Sequence, residues 1–533
     1  MTLTKADLVP PPPLYAVPPT DAEKHQYIKG SQHRWFFWAH AVAFLGIAVS
    51  LYGFATMRYW TLIFLAPLAL YAAETLLGLR TSTYPRRVTL PDHRFLVETY
   101  DPEEFPSVDV YLPTCGESPE LLANTLHWIS QLEWQGELTT WVLDDKASPE
   151  VRELAESYGV RYLARPGSEF KKAGNLQYAF ERSTGSLILI LDADFVPRAD
   201  LLTEVVPYFS DHSIGIVQTP QLFSTGKHLS WLTRGAGATQ EMFYRFIQPS
   251  RDAVRAAICC GTSAVYRRRA LDAIGGFPRI AHSEDVFTGM AMEEKGFRLQ
   301  YVPLNLSQGL SPDSVNSFIT QQYRWCEGSM AMAAGSDFHV SALSRPQRLS
   351  YWSGFSYYLT TAMNVFLAPI PTLLMVWLFP EYVKAGNFLP LVGLLVLWLG
   401  VYPVVMKGRW RLETLRVQVI YGFAHAASIW DVFFGQTQEW VPTGGGSAPT
   451  PVATRVKRMI VWYLSITMAA ASIGLVYRLW SGYPLSDWWA ALVFFGVNLY
   501  IFVPVVAACT AQESAPRRRR LFTRRPSVIE VSA

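Results

Sequence analysis

Long uncharged apolar runs bracket a central stretch in which apolar and polar residues alternate on the scale of short strands and helices. Runs of about the 20 residues that a helix needs to cross a bilayer fall near 35 to 56, 59 to 79, 354 to 379, 388 to 406, 459 to 480 and 487 to 509, which predicts six spans. Lys24, Lys29, Arg34, Arg80, Arg86, Arg87, Lys407, Arg409, Arg411, Arg455, Lys457, Arg458 and Arg517 to Arg520 all flank these runs on one side. Opposite them the short loops carry only Arg58, Lys384 and Arg478. By the positive-inside rule both termini and the whole 80 to 350 insert are expected in the cytoplasm of a multi-pass protein of the plasma membrane.

Two further stretches, 317 to 335 and 412 to 435, mix Arg, Glu, Gln and His with Phe, Trp, Ile and Val. They suit helices lying in the cytoplasmic interface, an ordinary packed helix being the alternative for each. Trp35, Tyr59, Trp60, Trp480 and Trp488 sit near span ends and read as an interfacial belt. The first 34 residues, with Pro10 to Pro13 and Pro18-Pro19, carry too little apolar patterning to fold and predict a disordered cytosolic arm.

Within the insert, candidate strands are Val108 to Leu112, Thr139 to Leu143, Leu187 to Leu191 and Ile214 to Gln218, with helices over 119 to 131, 149 to 157, 171 to 182 and 199 to 208. This alternation predicts an α/β domain. Polar residues end three of the strands: Pro113-Thr114, Asp144-Asp145-Lys146 and Asp192-Ala193-Asp194. Ligands bind beyond the carboxyl ends of strands in open α/β sheets, so the three clusters describe one pocket mouth.

Composition sharpens this picture. The chain has 533 residues, 50% apolar and only 17% charged, too long for one ordinary domain and too poor in charge for a soluble one. A net charge of +3, with no basic stripe in the insert, excludes the signature of a nucleic-acid partner. Cys115, Cys259, Cys260, Cys326 and Cys509 form no CxxC pair and no zinc spacing.

Asp192 and Asp194 are two apart on an extended chain, so both carboxylates face one way and can share a cation. Hard oxygen ligands without nearby His or thiolate favour Mg2+ or Mn2+, ions that complete their shells with substrate phosphates. Asp144-Asp145 adds carboxylates to the same rim, for nucleotide contacts, the metal shell or a helix cap. Lys171-Lys172-Ala173-Gly174-Asn175 joins cations to a glycine that lets backbone approach closely, which suits a diphosphate or a plain helix start. Ser283-Glu284-Asp285 stands before a helical stretch at 286 to 296, where a carboxylate also serves as an N-terminal charge. Gln321, Arg324 and Trp325 share one helix face, offering phosphate donors and a flat apolar plate, or an interfacial Arg and Trp.

Taken in order, Pro113-Thr114-Cys115-Gly116-Glu117, Asp144-Asp145, Lys172-Ala173-Gly174-Asn175, Asp192-Ala193-Asp194, Cys260-Gly261-Thr262-Ser263, Ser283-Glu284-Asp285 and Gln321-x-x-Arg324-Trp325 resemble a family 2 inverting glycosyltransferase of the cellulose synthase type. The resemblance implies an α/β GT-A nucleotide-sugar-binding domain inserted in an α-helical multi-span membrane domain. It implies a cytosolic arm over 1–34, two spans over 35–80, the GT-A domain over 81–316 and interfacial helices with Q-x-x-R-W over 317–350. Two spans over 351–410, an interfacial helix and gating-like loop over 411–458, two spans over 459–510 and a basic tail over 511–533 complete it.

By that resemblance Thr114, Glu117, Asp144 and Asp145 bind the nucleotide, Lys172 and Arg324 hold the diphosphate, and Asp192 and Asp194 serve the diphosphate and its Mg2+ or Mn2+. Asp285 is the expected general base. Cys260, Gly261, Glu284, Gln321 and Trp325 form the acceptor end, and Trp440 and Thr443 belong to a gating loop. The loop departs from the family pattern F-x-V-T-x-K-G, reading Trp440-Val-Pro-Thr443-Gly444-Gly-Gly446 without the Lys, and Ser283 replaces the usual Thr. No cyclic-di-GMP-binding PilZ domain is expected after the last span, so regulation by that nucleotide is not expected.

The implied function is processive polymerisation of a β-glucan from a UDP-sugar, UDP-glucose foremost, with extrusion of the growing β-glucan through the spans and accessory export proteins as further partners. A mixed-linkage or 1,3-glucan, mannan or N-acetylglucosamine polymer, or a single-addition glycolipid transferase, is the alternative within that chemistry. A non-catalytic nucleotide-binding scaffold or transporter is the alternative outside it. Neither has use for Asp285 alongside Asp192 and Asp194.

Overall fold

The computed structural model describes residues 15–29, 32–226, 229–280, 283–406, 410–436 and 449–511. Trp440, Thr443 and the tail arginines lie outside them. Ten strands form two sheets: β1 Val108–Thr114, β2 Leu138–Asp144, β3 Arg161–Ala164, β4 Leu187–Ile190, β5 Phe195–Pro197, β6 Ile214–Gln218, β7 Leu222–Phe223, β8 Ala264–Arg267, β9 Arg298–Tyr301 and β10 Ser307–Gly309. The large sheet runs β3-β2-β1-β4-β8-β6-β9, parallel except for β8, and β5-β10-β7 forms a small second sheet. β1 to β4 have helices between them, as the sequence alternation requires.

Both faces of the large sheet are covered, which is why β1, β4 and β6 are buried at every position rather than at alternate ones. Val108, Val110 and Leu112 of β1, with Leu187 and Leu189 of β4, enter one core with Leu122 and Leu126 of the Pro119–Ile129 helix. Tyr111, Ile188 and Ile190 point the other way into a core with Leu176 and Ala179 of the Lys171–Phe180 helix. Pro at the first turn and a Ser N-cap start the helix after β1, Ser118 accepting from Leu121 N at 3.2 Å.

Six helices among the described residues are long and apolar enough to cross a membrane: Trp35–Ala55, Tyr59–Ser82, Arg345–Trp377, Ala385–Val405, Pro451–Trp480 and Leu485–Thr510. They flank the α/β domain, and Trp38, Val42, Leu45 and Val49 on the first are exposed at helical spacing, a face made for lipid rather than water. The third breaks at Pro369, where the missing N–H interrupts the hydrogen-bond ladder. The Val315–Ala334 and Thr414–Phe433 helices are packed into the protein, each against the other, and the latter also against Trp231–Met242 and Arg345–Leu367. Of their large apolar side chains only Trp430 and Phe433, with Phe434 just beyond, at the end of the second, stand exposed.

The N-terminal segment differs from its composition. Residues 15–29, expected to be disordered, form two short helices, Asp21–Lys24 and Gln26–Lys29, docked on the α/β domain. Specific polar contacts do what apolar patterning cannot. Arg198 Nη1 donates to the Pro19 carbonyl at 2.5 Å, Asn124 to that of Ala16 at 2.9 Å, and Arg86 Nη1 to that of Ile28 at 2.7 Å. Lys24 is buried, its ammonium shared by Asp200 and Glu204.

Candidate active site

One cavity of about 1100 Å3 opens at the carboxyl ends of β1, β2 and β4. Thr114, Glu117, Asp145, Lys172, Asp192, Asp194, Cys260, Glu284, Asp285, Gln321, Arg324 and Trp325 all line it. The same cavity continues past Tyr244 and Ser353 to His40, Glu74, Tyr357, Trp398, Tyr402 and Tyr421 on the membrane helices and their neighbours.

The rim after β1 and β2 is braced by carboxylates. Glu117 accepts from Thr114 Oγ1 and from Cys115 N, both at 2.6 Å. Asp145 holds Arg165 through two bonds, 2.7 Å and 3.1 Å, and Arg165 in turn donates to the carbonyls of Glu169 and Lys171. Arg165 thereby fixes the turn before Lys172, where Phe170 and Lys171 both take positive φ (55° and 49°). Gly174 completes this turn: a Cβ there would sit 2.1 Å from the Glu169 carbonyl oxygen. Asp144 does not line the cavity. Its carboxylate accepts from Lys146 N, Ser148 N and Tyr162 OH at 2.8, 2.7 and 3.0 Å, so it ties the β2 turn to the start of the Pro149–Ser157 helix.

Lys172 is the central cation. Its ammonium pairs with Asp192 and donates to the Gly261 carbonyl at 2.9 Å. Burial works against that charge, but Asp192, Glu284 and Asp285 outweigh it and hold the pKa above the ordinary lysine value. Asp192 N donates to Thr262 Oγ1 at 2.8 Å, which locks the strand end to the loop before β8. At Asp194 burial, then Asp192, outweigh the pull of Lys172 and push the carboxyl up to about 7.

Two carboxylates crowded in one cavity, with Asp194 short of compensating charge, fit a divalent cation. Among the described residues no group of three His, Cys, Asp or Glu is arranged to hold a metal, so a cation here has to draw further oxygens from water or ligand.

Asp285 is reached from the other side of the cavity. Ser283, at φ 55°, turns the chain sharply into the Glu284–Glu294 helix. A left-handed non-glycine residue next to two half-buried carboxylates is the kind of strain found at functional sites. Burial, then Glu284, raise the Asp285 carboxyl above its ordinary range, and burial also raises Glu284 against the opposing pull of Lys172. Gly261 (φ 73°) lies against this carboxylate, since a Cβ there would meet Asp285 Oδ2 at 2.9 Å. Arg324 faces Asp192, Glu284 and Glu327; burial lowers its pKa and those carboxylates oppose the shift.

Several positioning residues carried no motif. Gln218, at the end of β6, accepts from Cys260 N at 2.8 Å and donates to the Thr262 carbonyl at 2.9 Å, while Gln221 Nε2 donates to the Cys260 carbonyl at 2.9 Å. The signal was the one that marks Asp192: a polar residue ending an apolar strand.

Residues 106–328 match the family model described as "Glycosyltransferase like family 2". This stretch of the chain is similar to family 2 glycosyltransferases. Its mixed sheet is accordingly of the GT-A type, and six apolar helices flank it. Cellulose synthase 1 catalytic subunit (UDP-forming) of Komagataeibacter xylinus is 34% identical over 275 residues, 50% of this chain and 37% of that protein. The cellulose synthase catalytic subunit (UDP-forming) of Xanthomonas axonopodis pv. citri is 30% identical over 260 residues, 47% of this chain and 35% of its own length. The chain thus spans little more than a third of these curated relatives. Among solved structures, mannosyltransferase PcManGT from Pyrobaculum calidifontis, in complex with GDP-Man and Mn2+, aligns over 68% of this chain and 97% of its own at 17% identity and a TM-score of 0.45.

Proposed function

We propose that this protein is a membrane-embedded inverting glycosyltransferase that polymerises a β-glucan from UDP-glucose and passes the product into the membrane. The observation that carries the reading is the continuity of the cavity from Asp192, Asp285 and Arg324 to His40, Glu74, Tyr357 and Tyr402 of the membrane region. A single-addition enzyme needs the first half of that cavity and has no use for the second. The relatives named cellulose synthase, UDP-forming, supply the donor.

In this reading Thr114, Glu117 and Asp145 frame the uridine end, with Asp144 acting on it only through the β2 turn. Lys172 and Arg324 meet the diphosphate from opposite walls. Trp325 and Gln321 present the acceptor, the indole against a sugar's C–H face. Glu284 and the Cys260-Gly261 turn set the Asp285 carboxylate, which takes the proton from the acceptor hydroxyl as its oxygen attacks C1. The bond from C1 to the diphosphate oxygen breaks on the opposite face, so the anomeric centre inverts and UDP leaves. Charge gathers on UDP, where Lys172 and Arg324 already stand. Mg2+ or Mn2+, held by Asp192 and Asp194 with the diphosphate, would add Lewis-acid stabilisation there. The charge asymmetry of the loops supports a cytosolic side for the catalytic domain and both termini.

The test is UDP release by membranes containing the protein over a panel of sugar nucleotides with Mg2+ or Mn2+, followed by digestion of the product with linkage-specific glucanases. UDP-glucose turnover to a long, glucanase-sensitive polymer, abolished in Asp285→Asn, is the expected result. Turnover of another donor, or only a short lipid-linked product, sinks the glucan polymerase. No turnover with any donor, with nucleotide binding intact, favours a non-catalytic scaffold.

A further inference from the structure

Asp431 has no part in the chemistry above, yet it is one of the most completely enclosed carboxylates in the protein, at 0% exposure. It lies near the end of the Thr414–Phe433 helix, and both its oxygens are taken. Arg455 donates Nη1 to Oδ1 at 2.9 Å and Nη2 to Oδ2 at 2.5 Å, and Tyr323 OH donates to Oδ2 at 2.7 Å. Three helices meet in these bonds. Tyr323 belongs to Val315–Ala334 and is the immediate neighbour of Arg324, whereas Arg455 belongs to the first turns of the Pro451–Trp480 span. A second tie stands about one turn away, where Thr320 Oγ1 lies 3.2 Å from Thr450 Oγ1. Thr450 is the N-cap of that span and accepts from Ala453 N at 3.1 Å.

Apart from Cys326 Sγ, which donates to the His425 carbonyl at 3.7 Å, the rest of the contact between these helices is mainly apolar, through Val315, Phe318, Ile319, Val417, Ile420, Val452 and Val456. Apolar burial stabilises but is non-directional, and it tolerates small rotations of a helix about its axis. A bidentate, buried ion pair with a third hydrogen bond does not, and fixing register is the best-attested use of such groups. The geometry makes that register matter. Arg324 is a long side chain reaching into the cavity, and a rotation of its helix by about 10° would carry the guanidinium by roughly 1 Å, a displacement that can cost about a hundredfold in a catalytic site.

We propose that Asp431 is a positioning residue for the diphosphate site: through Tyr323 and Arg455 it clamps the helix that carries Arg324 to the start of the Pro451–Trp480 span. The inference rests on the nucleotide-sugar reading of the cavity. It assigns to Asp431, Tyr323 and Arg455 a role in how tightly the second phosphate is held, and none in uridine recognition, because the groups framing the uridine end sit on β1, β2 and their turns.

The test is calorimetric binding of UDP and of UMP, with Mg2+, to the full-length protein in detergent, for wild type, Asp431→Asn and Tyr323→Phe. Arg324→Ala calibrates the loss of the guanidinium itself. Asp431→Asn is expected to weaken UDP binding about tenfold, and Tyr323→Phe by about threefold, with UMP affinity changed by less than about twofold in both. The double variant should be no worse for UDP than Asp431→Asn alone, since the hydroxyl then has no carboxylate to position. Equal losses for UDP and UMP would mean a merely structural pair and would overturn the assignment, as would unchanged UDP affinity in both variants. If Asp431→Asn does not fold, Tyr323→Phe still decides, because it removes one oxygen and leaves the Arg455 pair in place. Wild-type protein that binds neither nucleotide would overturn the nucleotide reading and this inference together; binding by wild type with unaltered variants overturns this inference alone.

Discussion

Gly328 lies against Ser283 so closely that a Cβ on it would stand 1.7 Å from the serine Oγ. The relationship joins the helix of Gln321, Arg324 and Trp325 to the strained turn that presents Asp285. The proposed acceptor plate and general base are therefore joined by one contact, of the Gly328 backbone with the Ser283 side chain, and a single methyl group is enough to disturb it. Gly328→Ala is expected to lower UDP release by at least about tenfold, because the Ser283 side chain, whose Cβ would lie 2.7 Å from the new methyl, has to shift and catalytic geometry tolerates such displacement poorly. Nucleotide binding should survive, the uridine end being on the far wall. Measuring both kcat and the Kd for UDP in the Ala variant checks this, and unchanged turnover would show that the turn gives way freely.

The raised Asp285 carboxyl makes a paired prediction for pH. As a base it must be ionised, and burial with the neighbouring Glu284 shifts its titration above the ordinary carboxylate value, so kcat/KM should fall with an acid limb well above about pH 4. Stability runs the opposite way. A carboxyl whose folded pKa is raised contributes fully below its unfolded pKa and loses that contribution as pH rises through the folded pKa. Asp285→Asn should thus melt later than wild type at pH 8, by on the order of 2–4 °C, with the gap narrowing toward pH 5. Thermal melts of both proteins across that range test it; an Asn variant that melts earlier at pH 8 would show that the ionised carboxylate is stabilised by its surroundings.

How far these features were legible in the sequence depended on distance along the chain. Ile188 and Ile190, embedded in an uninterrupted apolar run, announce a doubly covered strand, and Asp192 and Asp194 at its end follow from local order alone. The short strands Arg161–Ala164, Ala264–Arg267 and Arg298–Tyr301 did not, for they are held by register with neighbours far away rather than by patterning of their own. Asp145 was visible as a rim carboxylate, but its engagement by Arg165, twenty residues on, was not. Asp144 carries the same motif and serves the turn instead, because its side chain meets the N–H groups of Lys146 and Ser148 before it can reach the cavity. Residues 15–29 were misleading for a related reason: their partners, Arg198, Asp200 and Glu204, lie some 180 residues away in sequence.

The crowding of Asp192 and Asp194 predicts how a metal would be used. Asp194 sits at about 7 without a cation, through burial and the adjacent charge, so a cation binding there has to displace a proton in part of the population. The apparent affinity for Mg2+ or Mn2+ in UDP release should then tighten as pH rises from about 6 to 8 and level off above it. Chelation should abolish turnover, and Asp194→Asn should remove the pH dependence while weakening metal activation. A metal titration at three pH values is sufficient. Turnover insensitive to chelation would mean that Lys172 and Arg324 carry the leaving-group charge unaided.

Lys24 offers a prediction about the docked N-terminal segment. Its ammonium is 2.7 Å from Asp200 and also meets Glu204, whose other oxygen is 2.6 Å from His93 Nε2. Both carboxyls are partly desolvated, a cost offset by Arg198 and Lys24 at Asp200 and by His93 and Lys24 at Glu204, and both are held below their ordinary pKa. Breaking a buried pair by removing one partner leaves an uncompensated charge and typically costs about 3–5 kcal/mol. Lys24→Met should therefore lower the melting temperature measurably at pH 7, and because the depressed carboxyl pKa values make this stabilisation present above the unfolded carboxyl pKa and lost as pH falls through the folded one, the deficit should shrink under acid conditions. The KM for the nucleotide-sugar should not move, since none of these groups lines the cavity. Limited proteolysis provides an independent reading: in Lys24→Met the chain should become cleavable between residues 15 and 29, where the wild-type segment is protected by its contacts. Equal melting and equal cleavage in the two proteins would show that the Ala16, Pro19 and Ile28 contacts hold the segment without the buried charge.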